Sequence, residues 1–209
     1  YKGIYYKDSK PLTGFVLKDR ECYGYKKGVL APNSKVNGIK TDSTGKADDT
    51  LKKVIPLKAK LIVESVTTDD MSSSEKLWAA FQHLMTAYNS TDNPRIPHYT
   101  GMDWIYVYAN DMFGSRGGGN CMSYAAAFAF LAKACGYDEV YACNSGGHAW
   151  TEIDELVYDP EQYHDTNNNK IYGVGYSDPS TSTHSQLGNY WAAISDWKTQ
   201  SWKRIKIPE

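Results

Sequence analysis

The sequence predicts an α+β fold, with helices packed on an antiparallel sheet and a small β-hairpin segment ahead of them. Three observations carry this. Helical patterns fill the middle of the chain, from about residue 50 to Gly136. Strand patterns follow from Val140 onward, and helices first with strands later is the signature of segregated layers. The opening residues instead alternate short aromatic runs with Gly, Pro, Asn and Asp, which are hairpin signals. The 209 residues therefore divide into an N-terminal β-hairpin segment over 1–48 and a core over 49–209.

In the N-terminal segment, the runs Gly3 to Phe15, Cys22 to Leu30 and Val36 to Ile39 read as strand, polar turn and strand. Leu12-Thr13-Gly14-Phe15 recurs in style as Val36-Asn37-Gly38-Ile39, a hint of a repeat. The segment resembles the aromatic and glycine hairpin repeats by which many bacterial surface proteins hold choline or glucan at the cell wall. Such arrays normally use several units, and this chain has about two, so a structural β appendage is expected. Residues 41–49 form a polar connector.

Within the core, Leu57 to Val66 reads as a helix, with Pro56 in its first turn. Ser72 and Glu75 form a capping box for the next helix, whose stripe is Leu77, Phe81, Leu84 and Met85. His83 falls off that stripe and is expected at the surface. Residues 103–113 have strand-like composition but spacing that allows a helix, and helix is the expectation. Cys121 to Cys135 is an Ala-rich helix stopped by Gly136. The strand candidates are Val140–Asn144, His148–Ile153, Glu155–Tyr158, Lys170–Val174 and Arg204–Ile207, with Asp154-Glu155 turning between two of them. Asp165 to Asn169 reads as an Asn-rich turn, because it lacks the glycine and terminal Glu of a hand-type calcium loop.

Composition narrows the function. With 23 basic and 24 acidic residues, nothing argues for nucleic acid or an anionic membrane as partner. No apolar run approaches the roughly 20 residues of a membrane span. The chain begins at Tyr1-Lys2-Gly3 with no visible signal peptide, which says little about compartment. Seventeen tyrosines and six tryptophans suit carbohydrate or peptide surfaces, but core and strand packing is the plainer reading. Of the four cysteines, Cys135 and Cys143 read as small buried thiols, and no Cys/His group has zinc-ligand spacing, so neither metal nor cofactor is expected.

The chemistry gathers around Gly117-Gly118-Gly119-Asn120-Cys121. A cysteine opening a helix meets unpaired N–H groups and the positive end of the macrodipole, both of which favour a thiolate. Downstream come Gly147-His148-Ala149-Trp150-Thr151-Glu152 and Val157-Tyr158-Asp159-Pro160. Cys, His and Asp in that order are the parts of a nucleophile, its base and its orienter. Asp159 is expected to hold the Nδ1–H of His148. If His148 faces Cys121, strand alternation places Trp150 beside it, where it can wall off the imidazole. The Cys121 N–H is the natural first oxyanion donor, and Trp104, Tyr108 and Asn120 are candidates for a second. Gly119, Asn120 and Trp150 would line the substrate cleft, the glycines letting a substrate backbone approach the sulfur. Taken singly each of these residues has an ordinary structural explanation; their conjunction and order make the case.

Those blocks resemble the transglutaminase-like core of the papain-related superfamily over about residues 50–170. That resemblance implies a papain-like transglutaminase-core fold, a helical lobe whose Cys-bearing helix packs on an antiparallel sheet. It implies Cys121 as nucleophile, His148 as base, Asp159 as orienter, and Trp104 as the nearest match to the family's upstream aromatic oxyanion residue. The expected function is a thiol enzyme acting on peptide or amide bonds through an acyl-thioester, hydrolysis being favoured over protein cross-linking. Its expected setting is extracellular or cell-surface, with peptide or protein substrates, possible cell-wall peptides among them, and glycan contact through the N-terminal segment. The alternative is a non-catalytic cell-surface binding or adhesion module that uses the core as a scaffold.

Overall fold

The computed structural model describes residues 4–90, 103–144, 148–166, 171–178 and 204–209. The N-terminal segment is all β. Its strands are β1 (Tyr6–Lys7), β2 (Lys10–Pro11), β3 (Gly14–Lys18), β4 (Glu21–Lys26), β5 (Val29–Leu30), β6 (Lys35–Val36) and β7 (Ile39–Lys40). They pair as β1 with β2, as the three-stranded sheet β3-β4-β5, and as β6 with β7. Every hairpin loop has two residues, both at positive φ: Asp8 and Ser9, Asp19 and Arg20, Lys27 and Gly28, Asn37 and Gly38. Such loops match the right-handed twist of the strands they join. Phe15, Cys22, Ala31 and Val36 make a small core that continues onto Leu57 and Leu61 of the first helix. The segment is thus seated on the helical core.

Helix α1 spans Leu51–Val66, beginning six residues before the expected start at Leu57, and Pro56 lies inside it. Proline removes one hydrogen bond to the preceding turn. The buried stripe of Val54, Ile55, Lys58, Ala59, Ile62 and Val63 runs through that point, and its packing carries the helix across. Helix α2 spans Ser73–Ala87 and opens on the expected capping box, Ser72 accepting from the Glu75 N–H while the Glu75 carboxylate accepts from the Ser72 N–H. His83 is half-buried against Tyr88. Strand β8 (Asn89–Ser90) follows. Residues 104–113 are helical, as α3 (Trp104–Phe113). Strand β9 (Gly118–Gly119) pairs parallel with β8 and leads into α4 (Cys121–Ala134).

Helix α4 is the centre of the molecule. Every residue from Ser123 to Ala132 is buried. Alanines at 125, 126, 127, 129 and 132 let neighbours approach closely: α1, α2 and α3 on one side, the sheet on the other. Gly136, at φ +97°, follows its last turn. The sheet has the order β13-β12-β11-β10-β14, from β10 (Val140–Asn144), β11 (Ala149–Ile153), β12 (Leu156–Tyr158), β13 (Tyr172–Gly175) and β14 (Arg204–Lys206), all antiparallel. These are the predicted strands within two residues, and the fold is α+β. Asp154 and Glu155 turn β11 into β12, again with both φ positive. Helix α5 (Pro160–Thr166) takes in the start of the expected Asn-rich turn, whose residues 167–169 lie outside the described residues. Among the described residues no helix is long and apolar enough to cross a membrane.

One side chain bolts sheet to helix near the start of α4. Thr151 of β11 is fully buried and donates to the Ala125 carbonyl at 2.8 Å. Thr151→Val removes this bond with little change of shape, and a loss of about 1 kcal/mol in urea unfolding is expected.

Candidate active site

Cys121 is the first residue of α4, and Asn120 precedes it with extended backbone and no side-chain cap. The first hydrogen bonds of the helix run from the N–H groups of Ser123 and Tyr124 to the Asn120 carbonyl. The N–H groups of Cys121 and Met122 therefore have no acceptor within the helix. Cys121 is half-buried, whereas Cys22, Cys135 and Cys143 are buried, and all four are free thiols. Burial pushes the Cys22 and Cys135 thiols up to about 12. Neither can compete as a nucleophile near neutrality.

His148 stands just ahead of β11, its side chain 12% exposed. Asp159 follows β12 and is almost wholly buried. Antiparallel pairing of Thr151 with Tyr158 brings the two strand ends together. His148 Nε2 lies 2.6 Å from Asp159 Oδ2. This reverses the expected ring orientation, in which Nδ1 met the carboxylate. Nδ1 instead lies 3.9 Å from Oε2 of Glu161. A ring nitrogen of His148, the Cys121 Sγ and a Glu161 oxygen all lie within 4.8 Å of one another. With Nε2 held by Asp159, Nδ1 is the ring nitrogen left on the side of Glu161.

Asp159 has a second task. Its Oδ1 accepts from the Gln162 N–H at 3.1 Å, capping α5. The carboxylate is thus fixed at both oxygens, and so is the imidazole it holds. Burial works against a charged His148, but the Asp159 charge and hydrogen bond, aided by Cys121, outweigh it and hold His148 well above the ordinary histidine range.

Of the other predicted residues, Asn120 directly precedes Cys121, while Trp150, Trp104 and Gly119 are buried. Trp150 is buried on the opposite face of β11 from Thr151, packed with Cys143, Val157 and Ile171, and its indole donates to Tyr176 at 3.0 Å. Tyr176 and Arg204 in turn donate to buried Glu152. His148 lies outside the strand, so the alternation that paired it with Trp150 does not extend to it. Trp104 is fully buried at the start of α3, edge-on to Tyr108. Gly119 is buried beneath the site: a Cβ there would sit 2.2 Å from Ser123 Oγ. At Gly118 it would sit 2.3 Å from the Asn89 carbonyl oxygen. Close packing of the chain is enough by itself to require glycine at both positions.

Gly117 has a different reason. It sits at φ +63°, and a Cβ there would lie 1.4 Å from a guanidinium nitrogen of Arg20. Arg20, from the β3–β4 turn, donates to the Ala87 carbonyl at 3.2 Å and lies over the Tyr88 ring. The N-terminal segment therefore touches the loop that leads into Cys121. Sequence reading missed both Arg20 and Glu161. Asp159-Pro160-Glu161 is an N-cap, a first-turn proline and a first-turn acid, so the start of α5 was readable in principle. Nothing in the sequence marks Arg20.

Two predictions follow from this geometry. Gly117→Ala should destabilise by roughly 1–3 kcal/mol, because it combines backbone strain with displacement of Arg20. Adding Arg20→Ala should recover only the clash and not the strain, a non-additivity visible in a double-mutant cycle. His148 has a raised native pKa, so its stabilisation is fully present below the unfolded value of about 6.5 and is lost as pH rises through the native value. In urea titrations across pH, the advantage of the native chain over Asp159→Asn should be largest at about pH 5–6.5 and shrink at higher pH.

Comparison of the chain with family models, with curated proteins and with solved structures finds no match.

Proposed function

We propose that this chain is a thiol enzyme with a papain-like, transglutaminase-type core that opens amide or peptide bonds through an acyl-thioester on Cys121. The observation that carries the reading is the His148–Asp159 contact at 2.6 Å, with Cys121 beside the same imidazole. In this reading the Cys121 sulfur attacks the carbonyl carbon while His148 carries a proton as imidazolium. The developing oxyanion is received by the N–H of Cys121 and its neighbour in the first turn of α4. As the tetrahedral intermediate collapses, the C–N bond breaks and His148 passes its proton to the leaving amine. Water then attacks the thioester, giving its proton to His148. As this second intermediate collapses, the C–S bond breaks, the carboxylic acid departs, and the Cys121 thiolate and His148 imidazolium are restored. An amine taking the place of water would transfer the acyl group instead, and hydrolysis remains the favoured outcome. Peptides or proteins are the substrates in this proposal, and a cell-surface setting fits them.

A second reading, a non-catalytic surface-binding module, is supported by the exposed Tyr5 and Tyr6 on the N-terminal segment, 42% and 49% exposed. The two readings separate on reactivity. At about pH 6, below the ordinary thiol pKa of about 8.5, iodoacetamide should label Cys121 selectively and far faster than a free thiol. His148→Ala should abolish the excess rate. Labelling no faster than a free thiol would leave only the binding module. Incubation with a labelled primary amine and a glutamine-containing protein then decides the acceptor: peptide cleavage without amine incorporation is expected.

A further inference from the structure

We propose that Cys121, His148 and Glu161 form a binding site for a single zinc ion, which closes the thiol reversibly. The three side chains come from different elements: the start of α4, the lead into β11, and the first turn of α5. Each offers one donor atom of a different kind, and the three atoms lie within 4.8 Å of one another. A tetrahedral zinc with Zn–S near 2.3 Å and Zn–N and Zn–O near 2.1 Å sets its ligand atoms about 3.3–3.6 Å apart. His148 Nδ1 and Glu161 Oε2 already stand 3.9 Å apart, and the three donors are all within 4.8 Å, so side-chain movements of up to about 1.5 Å close the set.

The ring orientation favours this use. With Nε2 turned to Asp159 at 2.6 Å, the outer nitrogen has the carboxylate partner that metal-bound histidines ordinarily keep, and the inner nitrogen is aimed at the cluster. Asp159 is itself fixed by the Gln162 N–H. Sulfur, nitrogen and one carboxylate suit zinc and are wrong for calcium or magnesium, which take oxygen shells. Thiolate and carboxylate neutralise the ion between them. Three protein ligands leave a fourth position for water, and Glu161, with 17% of its side chain exposed, lies on the solvent side where an ion can enter. The inhibitory consequence rests on the thiol reading above. The site itself does not.

Cobalt(II) serves as a visible stand-in for zinc, titrated into the metal-free 209-residue chain. One equivalent should produce a thiolate-to-cobalt charge-transfer band, which excess zinc removes. Cys121→Ser should abolish the band. Glu161→Gln, shown by circular dichroism to be folded, should weaken binding at least about tenfold. Zinc should also protect Cys121 from iodoacetamide, and a chelator should restore labelling. Rapid Cys121 labelling without a cobalt band, or a band unchanged in Glu161→Gln, overturns the zinc site and leaves the thiol enzyme standing. A cobalt band in a chain whose thiol labels no faster than a free thiol supports the site and removes the enzyme.

Discussion

The contact between His148 and Asp159 is what the geometry of the candidate site depends on. Burial alone would strip the imidazole of its charge, since a cation loses its hydration when it leaves water. Asp159 reverses that balance from 2.6 Å away. A carboxylate can do this only where it is itself held still, and Asp159 is held by the backbone of α5. Helix capping and imidazole orientation are therefore one structural event. A residue that looks like an ordinary turn former before proline is also the anchor of a charged pair.

The fold exists to bring that pair to one end of α4. The helix is buried along most of its length and is close to immobile among its neighbours. Its first turn is half-buried at Cys121 and Met122, and their N–H groups have no acceptors within the helix. The sheet meets the helix through Thr151 and Ala125, one turn past Cys121, and the hairpin β11–β12 brings His148 and Asp159 to that same end. A thiol at the start of a helix and an imidazole at the lead into a strand are thereby held together.

Much of this was readable in the residues, for definite reasons. Cys121, His148 and Asp159 were legible because each stands at a boundary with strong local signals: glycines and alanines around the cysteine, alternation after the histidine, proline after the aspartate. The sheet was legible because β-branched and aromatic runs were bounded by turn residues. The start of α1 was not, because Pro56 resembles a first-turn proline and only tertiary burial of Val54 and Ile55 carries the helix through it. The ring orientation of His148 was beyond reach, since sequence says nothing of which imidazole edge meets a partner. Trp150 misled because alternation was extended to a histidine just outside the strand. Glu161 and Arg20 were invisible as site residues, since each reaches the cluster or its loop through contacts between distant elements.

The placement of Arg20 bears on how such a chain can be assembled from parts. Composition draws a boundary at the polar connector over 41–49, which invites the view that the hairpins are detachable. Yet Phe15, Cys22 and Val36 share one apolar cluster with Leu57 and Leu61, and Arg20 fills the space above Gly117. Lys58, buried in α1, donates to the Phe113 carbonyl and lies 3.9 Å from Glu21 on the hairpin. A cut at the connector would separate the loop before Cys121 from Arg20 and leave buried Lys58 without Glu21. A change on either side of the connector is then constrained by what the other side presents.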